Sequence, residues 1–284
     1  MNTVFLNCKD LSFGYEGRAV LSGLNFSVHE GDKLCVVGEN GSGKSTLLKG
    51  LLSLIPPLGG TLTKSPRLEA GDIGYLPQEN PLQKDFPAAV FEVVLSGRQN
   101  RRGAAPFYSR ADKAAAAEIL AMLDLSGLER RCFRELSGGQ RRRVLLARSL
   151  CAAGKILLLD EPASGLDPVV QAGLYTVLEK INAELGLTIV MVSHDIEGVL
   201  RFSGNGAVAE QTAPTISGNG ADDGPQRQTS LQSKLDQNHT TTAEGGSGMV
   251  LHLARRQLFF GSAASYRESE PGKLFLGAHR HCEP

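Results

Sequence analysis

The sequence predicts an α/β fold built on a parallel β-sheet with helices on both faces. Three observations support this prediction. Segments 155–159 and 188–192 are continuous apolar strands, residues 169–185 between them have the length of a helix, and segment 33–37 leads through a glycine-rich turn into another helix. Strands that are apolar on both faces are typical of parallel sheets buried between helices.

The first third of the chain contains further short β-rich segments separated by Gly, Asn or Asp turns, among them Val4 to Leu6 and Leu24 to Val28. These are predicted strands. A helix is predicted over Thr46 to Leu54, where Pro56 and Pro57 end the pattern. Between residues 79 and 153 the composition becomes rich in alanine, with helical spacing over 111–123, which predicts a helical subdomain.

Residues 204–248 break this alternation. They are dominated by Gly, Ser, Thr, Asn, Gln and Asp and contain no aromatic residue. Such a composition cannot bury enough apolar surface to offset its ordering entropy, so the segment is predicted to be a disordered insertion. Apolar segments 249–253 and 257–260 follow and predict a hairpin of two strands, with residues 249–284 completing the domain.

The composition excludes several functional classes. Thirty basic residues balance 30 acidic residues, so there is no electrostatic sign of a nucleic-acid partner. The longest apolar runs are far shorter than the roughly 20 residues that span a bilayer. The amino terminus has no secretory signal pattern, and the five scattered cysteines suit a reducing compartment, so we expect a cytoplasmic protein.

A glycine-rich motif connects the 33–37 strand to the next helix. Its residues fit the P-loop pattern, and the strand–loop–helix context is the one in which that pattern binds phosphate. Glycines allow backbone N–H groups to surround phosphate oxygens, and the helix N-terminus favours their negative charge. We expect Lys44 to reach the β- and γ-phosphates and Ser45 to bind Mg²⁺. The predicted nucleotide-binding residues here are Gly38, Glu39, Asn40, Gly41, Ser42, Gly43, Lys44, Ser45 and Thr46.

Two adjacent carboxylates, Asp160 and Glu161, end the 155–159 strand. Ligands of α/β sheets bind outside the carboxyl ends of the strands. Asp160 is therefore predicted to hold Mg²⁺, and Glu161 to act as the base or positioning group for the attacking water. An isolated Asp-Glu pair is commonly two solvated loop acids, and the upstream P-loop is what favours the functional interpretation.

A second predicted anion site follows Leu136. Ser137 is a good N-cap, and Gly138 and Gly139 expose backbone donors where a helix over 141–150 begins, with Gln140 between them. Taken with the P-loop and the acidic strand end, the run Leu136 to Gln140 resembles the signature of the ABC ATPase family. That resemblance covers residues 1–202 and resumes at Met249.

The resemblance implies a single nucleotide-binding domain over residues 1–284, with a RecA-like parallel core, an N-terminal antiparallel β-subdomain and the inserted helical subdomain. It implies ATP and Mg²⁺ as ligands, with Ser45, Gln78 and Asp160 around the metal and residues 137–140 on the nucleotide. Tyr15 resembles the aromatic residue that stacks on adenine. His194 resembles the switch histidine at the γ-phosphate, and Ser164 to Asp167 the loop that crosses the dimer interface.

The same resemblance implies a head-to-tail homodimer with ATP at its interface, docked on integral membrane permease subunits at the inner face of the membrane. A substrate-binding protein would take part indirectly. Residues 86–98 and the segments 257–261 and 273–277 resemble ATPases of zinc or manganese importers. Iron, iron-chelate and cobalt importers, and a soluble ABC ATPase that transports nothing, remain the alternatives; a P-loop kinase would have no need of residues 136–140.

Two further sequence features bear on partners. Phe86, Val90 and Phe91 follow Gln78, where the resemblance to the ABC ATPase family implies the surface that receives the permease, although these residues could instead be buried in the helical subdomain. His279, His281 and Cys282 are of types that bind zinc, but a chain end is usually mobile. We expect a solvated tail there.

Overall fold

In a computed structural model of the chain, the described residues are 3–69, 71–78, 87–101, 105–203, 248–253 and 257–274. Nine strands are described in these ranges: β1 Val4–Tyr15, β2 Arg18–His29, β3 Lys33–Val37, β4 Gly59–Lys64, β5 Ile73–Leu76, β6 Ile156–Asp160, β7 Thr188–Val192, β8 Met249–Leu253 and β9 Gln257–Ser262. The α-helices there are α1 Lys44–Leu51, α2 Val90–Leu95, α3 Arg110–Met122, α4 Gly138–Ala152, α5 Pro168–Leu185, α6 Ile196–Ser203 and α7 Ala263–Glu268.

The strands form two sheets. The larger has the order β5-β6-β7-β3-β8-β9 and the smaller has the order β2-β1-β4. Neighbours in the larger sheet are parallel from β5 to β8, and β9 pairs antiparallel with β8. Both pairings in the smaller sheet are antiparallel. The predicted α/β fold with a parallel core and an N-terminal antiparallel sheet is confirmed.

The larger sheet is buried on both faces, as the apolar strands predict. On β6, Leu157 and Leu159 belong to one hydrophobic cluster while Ile156 and Leu158 belong to the other, because successive side chains of a strand point to opposite faces. One cluster includes the helices of the 90–152 region, and the other includes α1 and the smaller sheet. The sheet therefore lies between two apolar layers.

Sequence patterns placed the long elements of the core well and the N-terminal sheet poorly. β7 has the predicted bounds, and α5 begins one residue before its predicted start, where Asp167 caps it and Pro168 occupies the first turn. In contrast β1 and β2 are 12 residues each, far longer than the short segments predicted. Their register shifts repeatedly, which interrupts the alternation that marks a strand in sequence.

The helical region predicted over 79–153 contains α2, α3 and α4 and two 3₁₀ turns, Ser96–Arg101 and Phe133–Glu135, within its described residues. Its first residues, 79–86, lie outside the described part of the chain. Val90 is fully buried and Phe91 packs partly buried against the core. The prediction that Val90 belongs to a docking surface is therefore wrong, because this side chain fills the hydrophobic core, and Phe86 lies among the residues left undescribed.

The predicted insertion 204–248 lies outside the described residues except for Gly248, but its flanks are close together. Before it, Phe202 accepts a hydrogen bond from Lys33 Nζ at 2.7 Å through its carbonyl oxygen. After it, Met249 pairs with Leu34 in the sheet. Because Lys33 and Leu34 are adjacent, both ends of the segment meet the same end of β3.

We expect that a linker of about 12 Gly and Ser residues can replace residues 204–247 without loss of the fold. Shortening the loop roughly fourfold should stabilise the protein by about 1 kcal/mol, since loop-closure entropy changes by ~0.6 kcal/mol per halving. Thermal melting should then shift upward by about 2–4 °C. A lost cooperative melt would mean that the replaced segment belongs to the folded structure.

Candidate functional site

The P-loop is positioned by the end of β3 and the start of α1. Gly38 has a φ of 150°, and a Cβ added there would lie 2.2 Å from the carbonyl oxygen of Leu253 on β8. Gly43 has a φ of 98°, and its added Cβ would lie 2.7 Å from the Leu21 side chain. Only glycine fits either position, because both the backbone angle and the available space exclude a side chain.

Lys44 lies across this loop. Its ammonium group donates hydrogen bonds to the carbonyl oxygens of Gly38 at 2.7 Å and Glu39 at 2.8 Å, and the residue is 6% exposed. Burial lowers the pKa of Lys44, while the charges of Glu161, Asp160 and Glu39 oppose that change. A buried cation is thus held against the glycine-rich loop by two of its carbonyl oxygens, and a cation beside such a loop is a combination that binds polyphosphate.

Asp160 ends β6 beside this cation and is 3% exposed. Burial raises the pKa of Asp160, whereas a hydrogen bond with Ser45 and the charges of Lys44 and Arg142 lower it. Its Oδ1 is buried and has no hydrogen-bond partner. A buried carboxylate oxygen without a donor, next to a hydroxyl, fits a hard cation such as Mg²⁺, which prefers oxygen ligands.

The Glu161 carboxylate lies close to two side chains from distant parts of the sequence. Gln78 Nε2 donates to Glu161 Oε2 at 3.1 Å, and His194 Nδ1 lies 3.7 Å from Glu161 Oε1. The three residues follow β5, β6 and β7, which are adjacent in the sheet. Glu161 itself has a φ of 48°, an uncommon value for a residue with a side chain. The structure therefore brings together three residues selected from sequence, at the edge that carries the P-loop.

Tyr15 lies at the end of β1 and is 44% exposed. Lys49 of α1 places its ammonium group 5.8 Å from the centre of the Tyr15 ring. The ring is thus supported by an element of the P-loop helix and remains open to solvent. This arrangement is compatible with stacking on a planar base.

The signature segment begins α4. The Ser137 hydroxyl accepts from Gln140 N at 3.2 Å, and Gln140 Oε1 accepts from Ser137 N at 3.1 Å, which forms a capping box. Ser137 and Gly138 are exposed. The first amides of a helix have no intrahelical acceptor, so this exposed helix start is a suitable anion site.

The loop 164–167 leads into α5, and Asp167 accepts a hydrogen bond from Val170 N at 3.0 Å as its N-cap. The helix continues to a group that sequence reasoning missed, in which Asp195 accepts from Tyr175 Oη at 3.0 Å and also from Gln171. Asp195 follows His194 directly. These contacts hold Asp195 in place beside the predicted switch histidine. No local sequence pattern predicts them, because Gln171 and Tyr175 lie 24 and 20 residues away in the chain.

Tyr75 is a second residue that was missed. It lies on β5, and burial followed by the nearby Asp160 charge raises its pKa to about 12. It also lines a groove of about 670 Å³ between the segment that follows α1 and the helical subdomain. Leu54, Lys64, Glu69 and Arg148 line the same groove. An aromatic residue in a strand is usually core, so its sequence gave no reason to single it out.

None of the helices in the described part of the chain is both long and apolar enough to cross a membrane.

Comparison with known proteins gives consistent matches. Residues 21–164 match the family model described as ABC transporter. The chain is 36% identical over 203 residues to the zinc import ATP-binding protein ZnuC of Ruegeria pomeroyi, an alignment that spans 72% of this chain and 74% of that one. It is 35% identical over 191 residues to the manganese transport system ATP-binding protein MntB of Bacillus subtilis, across 66% and 76% of the two chains.

Among solved structures, the chain is similar to a metal-chelate type ABC transporter in an inward-facing conformation. The TM-score is 0.71 at 25% identity, over 97% of this chain and 90% of the other.

Proposed function

The chain belongs to the ABC transporter family as an ATP-binding subunit with ATPase activity, and from this premise we propose that it energises the import of zinc or manganese. The observation that supports the site assignment is the meeting of Lys44, Asp160 and Glu161 at one sheet edge. Support for the cargo comes from the relatives named for zinc import and manganese transport.

In this proposal the P-loop residues 38–46 hold the phosphates of ATP, with Lys44 supplying the positive charge, and Tyr15 supports the adenine. Ser45, Gln78 and Asp160 would hold Mg²⁺. When bound, the metal would neutralise charge on the transferred phosphoryl group. The chain's own contribution is to present the Asp160 carboxylate, whose buried Oδ1 has no hydrogen-bond donor.

Glu161 would accept a proton from the attacking water. A carboxylate can do so only if its side chain is held within hydrogen-bond reach of that water. Gln78 and His194 would supply this orientation, since Gln78 donates to one oxygen of the Glu161 carboxylate and His194 lies 3.7 Å from the other. His194 would in addition contact the γ-phosphate.

We also propose a head-to-tail homodimer. Residues 137–140 of one copy would reach the nucleotide held by the P-loop of the second copy, which suits the exposed, glycine-rich start of α4. The assembly would lie in the cytoplasm, peripheral on the inner face of the membrane, held there by permease subunits. A substrate-binding protein would act on the far side, without contacting this chain.

The permease would dock in the groove that Tyr75 lines. Its lining is partly apolar and partly charged, and Leu54 at its rim is 67% exposed. An apolar side chain this exposed, in a groove also lined by Lys64, Glu69 and Arg148, suits an amphipathic segment of a partner better than solvent. Tyr75 borders both this groove and Asp160, so a docked segment would lie one residue away from the nucleotide site.

The first prediction of this proposal concerns the base. Glu161→Gln removes the proton acceptor but keeps the size of the side chain and one of its two acceptor oxygens, so ATP should still bind while kcat falls by roughly 10² or more. Steady-state phosphate release and equilibrium binding of ATP measure the two effects separately. Near-normal turnover in this variant would remove Glu161 from the mechanism.

Lys44→Ala is the matched comparison. It deletes a phosphate contact rather than the proton acceptor, so it should weaken ATP binding itself. A variant that bound ATP normally would contradict the role given to Lys44.

The second prediction concerns docking. Leu54→Asp should leave the ATPase of the isolated subunit intact, because the side chain is already exposed, but should prevent copurification with the permease and stop uptake. Leu185→Asp, on the end of α5, is the control because Leu185 is also exposed, at 49%. Normal assembly and uptake in Leu54→Asp would exclude the groove as the docking surface.

The third prediction concerns cargo. Cells that lack the protein should require added zinc, or secondarily manganese, for growth under chelation and should accumulate less of that metal. Growth with single-metal supplements and measurement of cell-associated metal would show this. Rescue by iron alone would move the assignment to an iron importer, and dependence on none of these metals would favour a soluble ABC ATPase that transports nothing.

A further inference from the structure

Arg142 lies two positions after the signature segment on α4, yet it is turned into the molecule and is 3% exposed. An arginine keeps its charge at all physiological pH values, so burying it is costly unless its donors are satisfied. Its Nε donates to the carbonyl oxygen of Pro162 at 2.7 Å. One of its terminal nitrogens donates to the carbonyl oxygens of Asp160 at 3.3 Å and Glu161 at 2.5 Å.

These three acceptors belong to consecutive residues centred on Glu161. The guanidinium is planar and rigid, so binding three carbonyls fixes the peptide groups on both sides of Glu161 relative to each other. Glu161 needs such support, because its φ of 48° lies in a region that residues with a Cβ seldom adopt. The Glu161 amide adds one further constraint by donating to the Val192 carbonyl oxygen at 3.0 Å.

The direction of the Glu161 side chain depends on this backbone conformation. With φ at 48°, its carboxylate meets Gln78 on one oxygen and His194 on the other. If the backbone relaxed to a negative φ, the side chain would leave the strand end in a different direction. The hydrogen bonds of Arg142 to the backbone around Glu161 therefore bear on where the carboxylate points.

We propose that Arg142 is a positioning residue for ATP hydrolysis, which holds Glu161 in its left-handed conformation and ties it to the helix that begins at the signature segment. The proposal rests on the role proposed above for Glu161. Its consequence is a direct connection between two parts of one subunit. Residues 137–140 would serve the nucleotide of the second copy, Glu161 would serve its own, and Arg142 would join them across a single helical turn.

The test compares Arg142→Gln and Arg142→Lys with Arg130→Gln in the full-length protein. Arg130 is an exposed arginine of the same helical region and serves as the control. We expect Arg142→Gln to lower kcat by about 10- to 100-fold, the range that follows from a small misplacement of a catalytic group. KM for ATP and the equilibrium affinity for a fluorescent ATP analogue should change little. Arg142→Lys, which keeps the charge but not the fork of donors, should be intermediate.

A double variant separates positioning from general damage to the fold. If Arg142 acts through Glu161, adding Arg142→Gln to Glu161→Gln should not slow single-turnover hydrolysis further. Multiplied defects in the double variant, or a loss of analogue binding that parallels the loss of kcat, would overturn the proposal. If Arg142→Gln does not fold, Arg142→Lys is compared with the wild-type protein and with Arg130→Gln instead. A normal kcat in Arg142→Lys would then overturn the proposal.

The two assignments can fail independently. Normal turnover in Glu161→Gln would refute the proposed role of Glu161. Impaired turnover in Glu161→Gln with normal turnover in Arg142→Gln would refute only the positioning role.

Discussion

The parallel alignment of β3, β6 and β7 is the constraint on which the rest of the site depends. Val36 of β3 and Asp160 of β6 both pair with Val192 of β7, so the three strands end at the same edge. The ladder continues past the strand ends, where Ser193 N donates to Val36 O at 3.1 Å and Glu161 N donates to Val192 O at 3.0 Å. The P-loop, the acidic pair and His194 emerge together as a result.

The same edge concentrates buried charge. Lys44, Arg142 and Asp160 are all at least nine-tenths buried. Desolvation lowers the pKa of Lys44 and raises the pKa of Asp160, which in both cases favours the neutral form. The attraction between buried charges seldom offsets the free energy needed to remove them from water, so such groups add little to stability. Here the charges of Lys44 and Asp160 stabilise each other, and backbone carbonyls accept hydrogen bonds from Lys44 and Arg142. Asp160 Oδ1 nevertheless remains without a hydrogen-bond donor. This is the pattern of a site built for a ligand rather than for the stability of the apoprotein.

The C-terminal hairpin supports the P-loop from the other side. β8 extends the sheet next to β3, and its Leu253 carbonyl lies so close to Gly38 that no side chain fits there. His252, 5% exposed, contacts Tyr266 Oη through Nδ1 at 3.2 Å. Burial, with the Lys44 charge as a smaller cause, lowers the pKa of His252 to about 4, so it is neutral at pH 7. Residues 248–253 and 257–274 are therefore part of the nucleotide-binding fold.

Much of the core and the candidate site could be predicted from the sequence, because their signals are local. A buried parallel strand is apolar throughout, as in β6 and β7, and the glycines of the P-loop are required by the backbone itself, so each pattern identifies its element without knowledge of the rest. The long N-terminal strands escaped prediction since their register shifts remove the alternation. Only the tertiary structure decided that Val90 is core, that Tyr75 lies between a groove and Asp160, and that Arg142 turns inward to three carbonyls. These outcomes depend on contacts between residues far apart in the chain, and an arginine near the start of a helix has the same local sequence whether it meets solvent or a strand end.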